Sequence, residues 1–572
     1  MRPILLIMSN YTTEHLQRIQ SVLSEFIFGE EDIIEAIDAI GINTATSEGE
    51  IPARILKGCK VPLETALKII WKLSFEQGKV PGIYKHQYVT PIFKGGEKID
   101  PANYRPVSLT SHMIKIFERI ITKYLVKYFE ERDLFYSRQH GFRKGKSCLT
   151  QLLQHQDAVL KNYLEGAETD VIYLDYSKAF DKVDHQLLMK KLRFYGISGK
   201  LHNWIADFLR NRIQRVVVDG IKSEPMKVVS GVPKGTVLVP ILFLIYLNDI
   251  GECVESSTLN SFADDTRISR KIENINDCRT LQTELINSIQ WATDNNMALN
   301  EEKFERMSFR TPKNRLIQEA LPFMKDIDEY TTEIGTVIHE KQLIRDLGIH
   351  VSENYSWTPH INIMVDNAQH ISSWVLGVFQ DRSIPVMLQL FKSLSRPRVE
   401  YCCPLWNPLK IGDIQTVESV QREFTRRIEG MAEISYWERL KRLKLQSLQR
   451  RRERYIIIHV WKIINNETSN DLQLRFKRHH RLGNRAITPS LNKGASRAAL
   501  TSYESSFAVR GCQLWNTLPA HVNSKTTLEA FKTVLGKHMD SIVDQPPTPG
   551  YVTVNSNSIL DWRNQKGGPQ TA

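Results

Sequence analysis

No apolar run in this sequence approaches the roughly 20 residues that a bilayer-spanning helix needs. The most apolar stretch, LVPILFLIYL at 238–247, falls well short and reads as a buried helix. Cysteine is scarce: seven residues, at 59, 148, 253, 278, 402, 403 and 512, form no CxxC pair and no Cys/His cluster at zinc spacing. A disulfide framework and a structural zinc site are thereby disfavoured, and a reduced compartment is the simplest inference. The N-terminal MRPILLIM carries an apolar patch too short for a signal-peptide core. The expectation is a soluble, intracellular protein with no membrane partner. There is also no internal repeat.

What is present is enough apolar sequence, 41%, to build real cores across 572 residues, room for roughly three or four domains. The net charge of +12 is uneven: residues 421–486 hold 17 basic against 7 acidic residues, +10 of that total. Such a concentration is either a footprint for a polyanion or a set of solvated helix faces. Within it, RLKRLKLQSLQRRRER at 439–454 interleaves Leu443, Leu445 and Leu448 with basic residues.

Periodicity predicts a helix over 62–77 with Leu63, Leu67, Ile70 and Trp71 on one stripe, then a short strand, QYVTPIF. Further helices are expected over about 111–130, with Ile114, Phe117, Ile121, Leu125 and Phe129 inward, and over 148–164, 185–195, 200–210, 238–248 and 279–296. DVIYLDY at 170–176 reads as a buried strand, RVVVDGIKSEPMKVV as two strands and a turn, and ERMSF as another strand. Strands and helices mix without strict βαβ alternation, which favours an α+β fold with an antiparallel sheet. From about 360 onward the pattern is mostly helical and basic, and the last thirty or so residues, with DQPPTPG and NQKGGPQTA, read as a disordered tail.

SFADDTRI at 261–268 places Asp264 beside Asp265 in an apolar setting. Successive strand side chains face opposite ways, so both carboxylates can serve one site only where the chain turns. The pair is either an exposed polar turn or half of a cation site, because crowded carboxylates share a proton or hold a hard cation such as Mg²⁺. Asp175, at the end of the apolar strand, supplies a third carboxylate. Three of them suffice to hold two Mg²⁺ ions for phosphoryl transfer, an arrangement used by polymerases and nucleases alike.

YLDYSKAFDKVDH (173–185), SGVPKGTVLVPILFLIYLNDI (230–250) and SFADDTRI resemble motifs A, B and C of the reverse transcriptases of non-LTR retrotransposons, in that order and spacing. YVTPIFKGGEKIDPANYRPVSLTSHMIKIFERII (88–121) and QHGFRKGKSCLTQLL (139–153) are similar to that family's fingers motifs, and LNEEKF (299–304) and IRDLGI (344–349) to its motifs D and E. RPRVEYCCPLWNP (396–408) and RGCQLWNTLP (510–519) resemble regions downstream of the polymerase in jockey-like and chicken-repeat-like elements. The resemblance implies a right-hand polymerase with fingers, a palm and a helical thumb. It would extend a DNA primer along an RNA template from dNTPs with two Mg²⁺ ions, Mn²⁺ being a substitute, and would act in the nucleus, the cytoplasm being the alternative.

Carried over residue by residue, it implies metal ligation by Asp175, Asp264 and Asp265, with Asp265 the least secure, and a motif D general acid at Lys303. Lys94 and Arg105 would contact the triphosphate, Phe180 would pack beneath the incoming sugar and exclude a 2′-hydroxyl, and Lys234 and Gly235 would border the nucleotide. Arg143 and the run Arg450, Arg451, Arg452 and Arg454 are expected on nucleic acid. Asp181, Asp184 and His185 are expected to be structural.

Two positions depart from the family's usual PQGSVLGP: Lys234 replaces glutamine and Val239 replaces glycine, where a branched side chain would clash if the backbone needs glycine's freedom. A degenerate, inactive nucleic-acid-binding remnant is therefore the alternative reading, and a two-metal nuclease a third. The expected division is a pre-polymerase segment at 1–60, the reverse transcriptase domain at 61–355, a basic thumb and connection region at 356–485, an element-specific region at 486–540 and the tail at 541–572. An endonuclease is expected to be absent from this chain.

Overall fold

The computed structural model describes residues 22–45, 50–310, 329–468, 497–549 and 557–564. At its centre is the strand Glu168–Leu174, whose β-branched and aromatic residues suit a position covered on both faces. It pairs antiparallel with Asp265–Ile272 on one side and Glu305–Phe309 on the other, and Thr258–Phe262 completes a four-stranded antiparallel sheet. Alternate residues of this strand serve two different cores, as the period of two requires. Ile172 and Leu174 join one cluster with Phe117, Trp204, Phe243 and Leu285. Val171 joins the other, with Leu153, Met307, Phe424 and Trp461.

A second sheet runs Tyr104–Leu109, His86–Phe93, Arg212–Val218, Ile221–Lys222, with Met226–Val228 also paired to Arg212–Val218. His86–Phe93 and Arg212–Val218 lie parallel, so this sheet is mixed. The expected pair of strands in 215–229 is three short ones.

The helices Lys60–Gln77, His112–Glu131, Cys148–Leu164, His185–Phe194, Gly199–Leu209, Val239–Tyr246 and Ile275–Asp294 lie where the periodicity put them. Ile114, Phe117, Ile121, Leu125 and Phe129 are all fully buried. In the first helix Leu67 and Trp71 are buried, whereas Ile70 is 42% exposed, on the outer edge of the stripe.

The second cluster also gathers the helices Thr358–Val378, Ile411–Arg426, Leu448–Ile464, Phe507–Thr517 and Leu528–Asp540. The expected disordered tail is corrected for its described part. Ile542 and Ile559 are buried, Ile559 N–H donates to the Glu453 carboxylate at 3.1 Å, and the Trp437 indole donates to the Pro546 carbonyl at 2.9 Å. The N-terminal MRPILLIM lies outside the described residues. Among the described residues no helix is long and apolar enough to cross a membrane.

Candidate active site

Asp264 sits at the tip of a two-residue hairpin: Phe262 pairs with Asp265, leaving Ala263 and Asp264 to turn the chain, Ala263 at φ 56°. Alanine is a poor choice for positive φ, so something must hold the turn. Gln139 does. Its side-chain oxygen accepts from the amides of Ala263 at 2.9 Å and Gly141 at 2.8 Å, and His140 N–H donates to the Ser261 carbonyl at 2.8 Å. A Cβ on Gly141 would lie 2.5 Å from the Ala263 nitrogen, so glycine is what allows this contact. Gln139 was not singled out from the sequence, because its partner is 124 positions away.

Asp175 follows the central strand directly, and the antiparallel register, Leu174 opposite Thr266, brings it to the same end of the sheet as the hairpin tip. The Asp175 carbonyl accepts from Asn300 N–H at 2.8 Å, which lays 298–303 alongside and brings the Lys303 ammonium to 3.7 Å from the Asp175 carboxylate.

Burial raises the Asp264 carboxyl above its ordinary range; Lys234 and Arg105 oppose this, and Asp175 adds to it. Asp265 is pushed up to about 6, by desolvation first and then by Asp264, Asp346 and Asp175. Asp265 is itself exposed, and Asp264, Asp346 and Asp175 repel a charge on it. A cation would relieve that repulsion, and oxygen donors suit Mg²⁺. Among the described residues, however, no three His, Cys, Asp or Glu side chains already close around one point. The carboxylates share a field without forming a finished cage, so any ion there would take further oxygens from substrate and water. A cavity of about 150 Å³ lies beneath Asp175, Asp265 and Lys303 and is walled by the buried ion pair Arg267–Asp346.

Arg105 is exposed on Tyr104–Leu109, opposite Ile92, and its charge lowers both Asp264 and Asp265. Lys94 is exposed just past Phe93, at the same end of that strand pair as Arg105, with its backbone N–H donating to the Asn103 carbonyl at 2.8 Å. Phe180 stacks on Phe243 with ring centroids 3.9 Å apart, and Lys234 pairs with Asp181 at 2.8 Å. Gly235, at φ +109°, is also required by a protein neighbour: a Cβ there would lie 2.4 Å from the Ser108 carbonyl oxygen. The expected clash at Val239 is corrected, because Val239 opens the helix Val239–Tyr246, has no positive φ and is buried in the core. Buried Glu118, another residue missed from sequence, fixes the start of that helix by accepting from Val237 N–H at 2.7 Å and Leu238 N–H at 3.0 Å.

Residues 92–351 match the family model for reverse transcriptase (RNA-dependent DNA polymerase). Over this segment the chain is similar to reverse transcriptases. The chain is 25% identical over 365 residues to the probable RNA-directed DNA polymerase from transposon X-element of Drosophila melanogaster, covering 61% of this chain and 38% of that one. It is 24% identical over 485 residues to the RNA-directed DNA polymerase from mobile element jockey of the same organism, covering 79% and 51%. A type-1 retrotransposable element R2 polyprotein of Popillia japonica is 28% identical over 181 residues, 31% of this chain and 25% of that one. The chain thus spans about half or less of the length of these relatives. The resemblance to non-LTR retrotransposon reverse transcriptases holds.

The basic residues expected on nucleic acid need correction. Arg143 lies against the helix His112–Glu131, forking onto Glu130 at 3.0 and 2.7 Å and donating to the Tyr136 carbonyl at 3.0 Å, with 7% of its side chain exposed. Arg450 and Arg452 are buried: the first donates to the Val543 and Asn557 carbonyls at 3.0 and 3.3 Å, the second to the Asn407 side chain at 3.0 Å. Arg451 pairs with Glu400, and Arg454 donates to the Lys532 carbonyl at 3.0 Å. The returning C-terminal segment covers the face that the sequence left for phosphates. Arg426, Arg427, Lys441 and Lys444 remain exposed in the same region.

Proposed function

We propose that this chain is the RNA-directed DNA polymerase of a non-LTR retrotransposon, extending a DNA primer on an RNA template from dNTPs. The observation that carries the reading is the placement of Asp175 and the Asp264 hairpin at one end of the antiparallel sheet, facing the field of Arg105. In this reading the four-stranded sheet is the palm, the mixed sheet bearing Lys94 and Arg105 belongs to the fingers, and the helices from Thr358 onward form the thumb. Asp175 and Asp264, with Asp265 at the rim, would hold two Mg²⁺ ions or Mn²⁺ in their place. When bound, such ions activate the attacking oxygen and stabilise the leaving one.

The chain's own groups supply the rest. Arg105 and Lys94 orient the triphosphate by fixed charge. Phe180 lies under the sugar, and Lys303 stands next to Asp175, exposed enough to reach and protonate the departing pyrophosphate. Arg426, Arg427, Lys441 and Lys444 take over the template-primer contacts first assigned to Arg143 and the 450–454 run. The place of action in this reading is the nucleus.

The departures in motif B do not favour an inactive remnant, because Val239 is accommodated and Lys234 has a partner. Incubation with a primed RNA template, dNTPs and Mg²⁺ decides the matter. The proposal requires primer extension; degradation of the nucleic acid would point to a nuclease, and retention without extension to a binding remnant.

A further inference from the structure

Lys234 is engaged on two sides. Its ammonium lies 2.8 Å from the Asp181 carboxylate and 5.8 Å from the centroid of the Phe180 ring. The same ring stacks on buried Phe243, tilted by 16°. The backbone beneath is joined as closely: Val232 N–H donates to the Phe180 carbonyl and Gly231 N–H to the Val183 carbonyl, each at 2.9 Å. A Cβ on Gly231 would meet Asp181 at 2.7 Å. The segments 180–183 and 230–235 are therefore tied together, and the lysine side chain closes the junction over the ring. With side chains 24% and 38% exposed, Lys234 and Asp181 belong to neither the core nor the free surface.

We propose that Lys234, anchored by Asp181, is a positioning residue for Phe180 and thereby helps to set the preference for deoxyribonucleotides over ribonucleotides. This rests on the reading of Phe180 as the ring beneath the incoming sugar. A ring excludes a 2′-hydroxyl only if it cannot tilt away. Phe243 fixes one neighbour of the ring, and the ammonium, held in place by an anion, fixes another through the attraction of a cation to an aromatic face. Lysine at 234 then works as half of a pair. Its replacement by glutamine removes the cation from the ring and leaves Asp181 uncompensated beside the site where a triphosphate would lie.

The test is single-nucleotide addition on a primed RNA template with a dNTP and the matching rNTP, for the intact chain and five variants. Equilibrium binding of the two nucleotides to the complex with primer and template reads the same ratio without turnover. Phe180→Ala should collapse the dNTP-to-rNTP ratio of kcat/KM. Lys234→Gln and Asp181→Asn should each lower it by about 3- to 30-fold, the range of one cation–ring contact. The double variant should fall no further than Lys234→Gln, because both changes remove one coupled contact. Lys234→Arg should keep the ratio. An unchanged ratio in Lys234→Gln and Asp181→Asn, with Phe180→Ala altered, overturns the proposal and leaves the polymerase reading standing. An unchanged ratio in Phe180→Ala overturns the sugar-gate reading and the proposal with it.

Discussion

Gly235→Ala should do more damage than a single methyl group suggests, and a second glycine calibrates how much. At Gly235 the backbone has φ +109°, and the added carbon would lie 2.4 Å from the Ser108 carbonyl oxygen. Ser108 is itself tied to the loop, its N–H donating to the Lys234 carbonyl at 2.6 Å, so neither side can yield without breaking the junction. Gly220, in the turn between Arg212–Val218 and Ile221–Lys222, has φ +80° and nothing within 4 Å of a built Cβ. Gly220→Ala thus carries backbone strain alone, about 1–3 kcal/mol. Gly235→Ala carries strain of that order together with overlap of about 1–3 kcal/mol. Where the chain relieves the overlap by moving, the strand Tyr104–Leu109 shifts and takes Arg105 with it, so the KM for dNTPs rises. Urea titrations followed by tryptophan fluorescence, alongside dNTP titrations in primer extension, separate these costs. Equal unfolding midpoints and equal KM values for the two variants would refute the steric argument.

Other consequences follow from the same geometry. Arg452→Gln should destabilise the helical region by roughly 1.5–3 kcal/mol, as loss of a buried hydrogen bond from a charged group does, whereas joint Gln substitution of Arg426, Arg427, Lys441 and Lys444 should leave stability nearly unchanged. The joint variant should instead flatten the dependence of log K on log salt by about 0.9 per lost phosphate contact on duplex, read by fluorescence anisotropy at several salt concentrations. Gln139→Ala should strand the amides of Ala263 and Gly141, at about 1–3 kcal/mol for a buried unpaired group, and slow nucleotide addition by loosening the Asp264 turn; an unchanged rate would dissociate the turn from catalysis. Glu418 is fully buried, and desolvation holds its carboxyl up to about 7 against the pull of Tyr436 and Arg452. The folded state then binds the proton more tightly than the unfolded chain, so stability from this group is lost as pH rises from about 4.5 to about 7. Glu418→Gln should remove that part of the pH slope in parallel melting curves.

Local pattern was a good guide wherever local physics decides the outcome. The stripe Ile114, Phe117, Ile121, Leu125 and Phe129 is buried because a helix with one apolar face has one way to hide it. The turn at Asp264 was legible because adjacent carboxylates cannot share a site on a straight strand. What escaped depends on partners far along the chain. Gln139 reaches Ala263, and Arg450 disappears beneath Val543 and Asn557 when the C-terminal segment returns. A run of arginines looks the same in sequence whether the opposite surface is phosphate or protein. Gly235 was recognised as necessary, but its approach to Ser108 was not, because a glycine in a sequence reports a close approach without naming what approaches.

The proposed binding of a polymerase's ions by Asp175 and Asp264 meets its most direct test in Asp264→Asn. This change keeps the side-chain shape and removes the charge. Extension of a primed RNA template with Mg²⁺ and dNTPs should fall to background in Asp264→Asn. Retention of the same template-primer, measured in parallel, should match that of the unsubstituted chain, since binding rests on lysines and arginines elsewhere. Extension by Asp264→Asn at the unsubstituted rate would contradict the account.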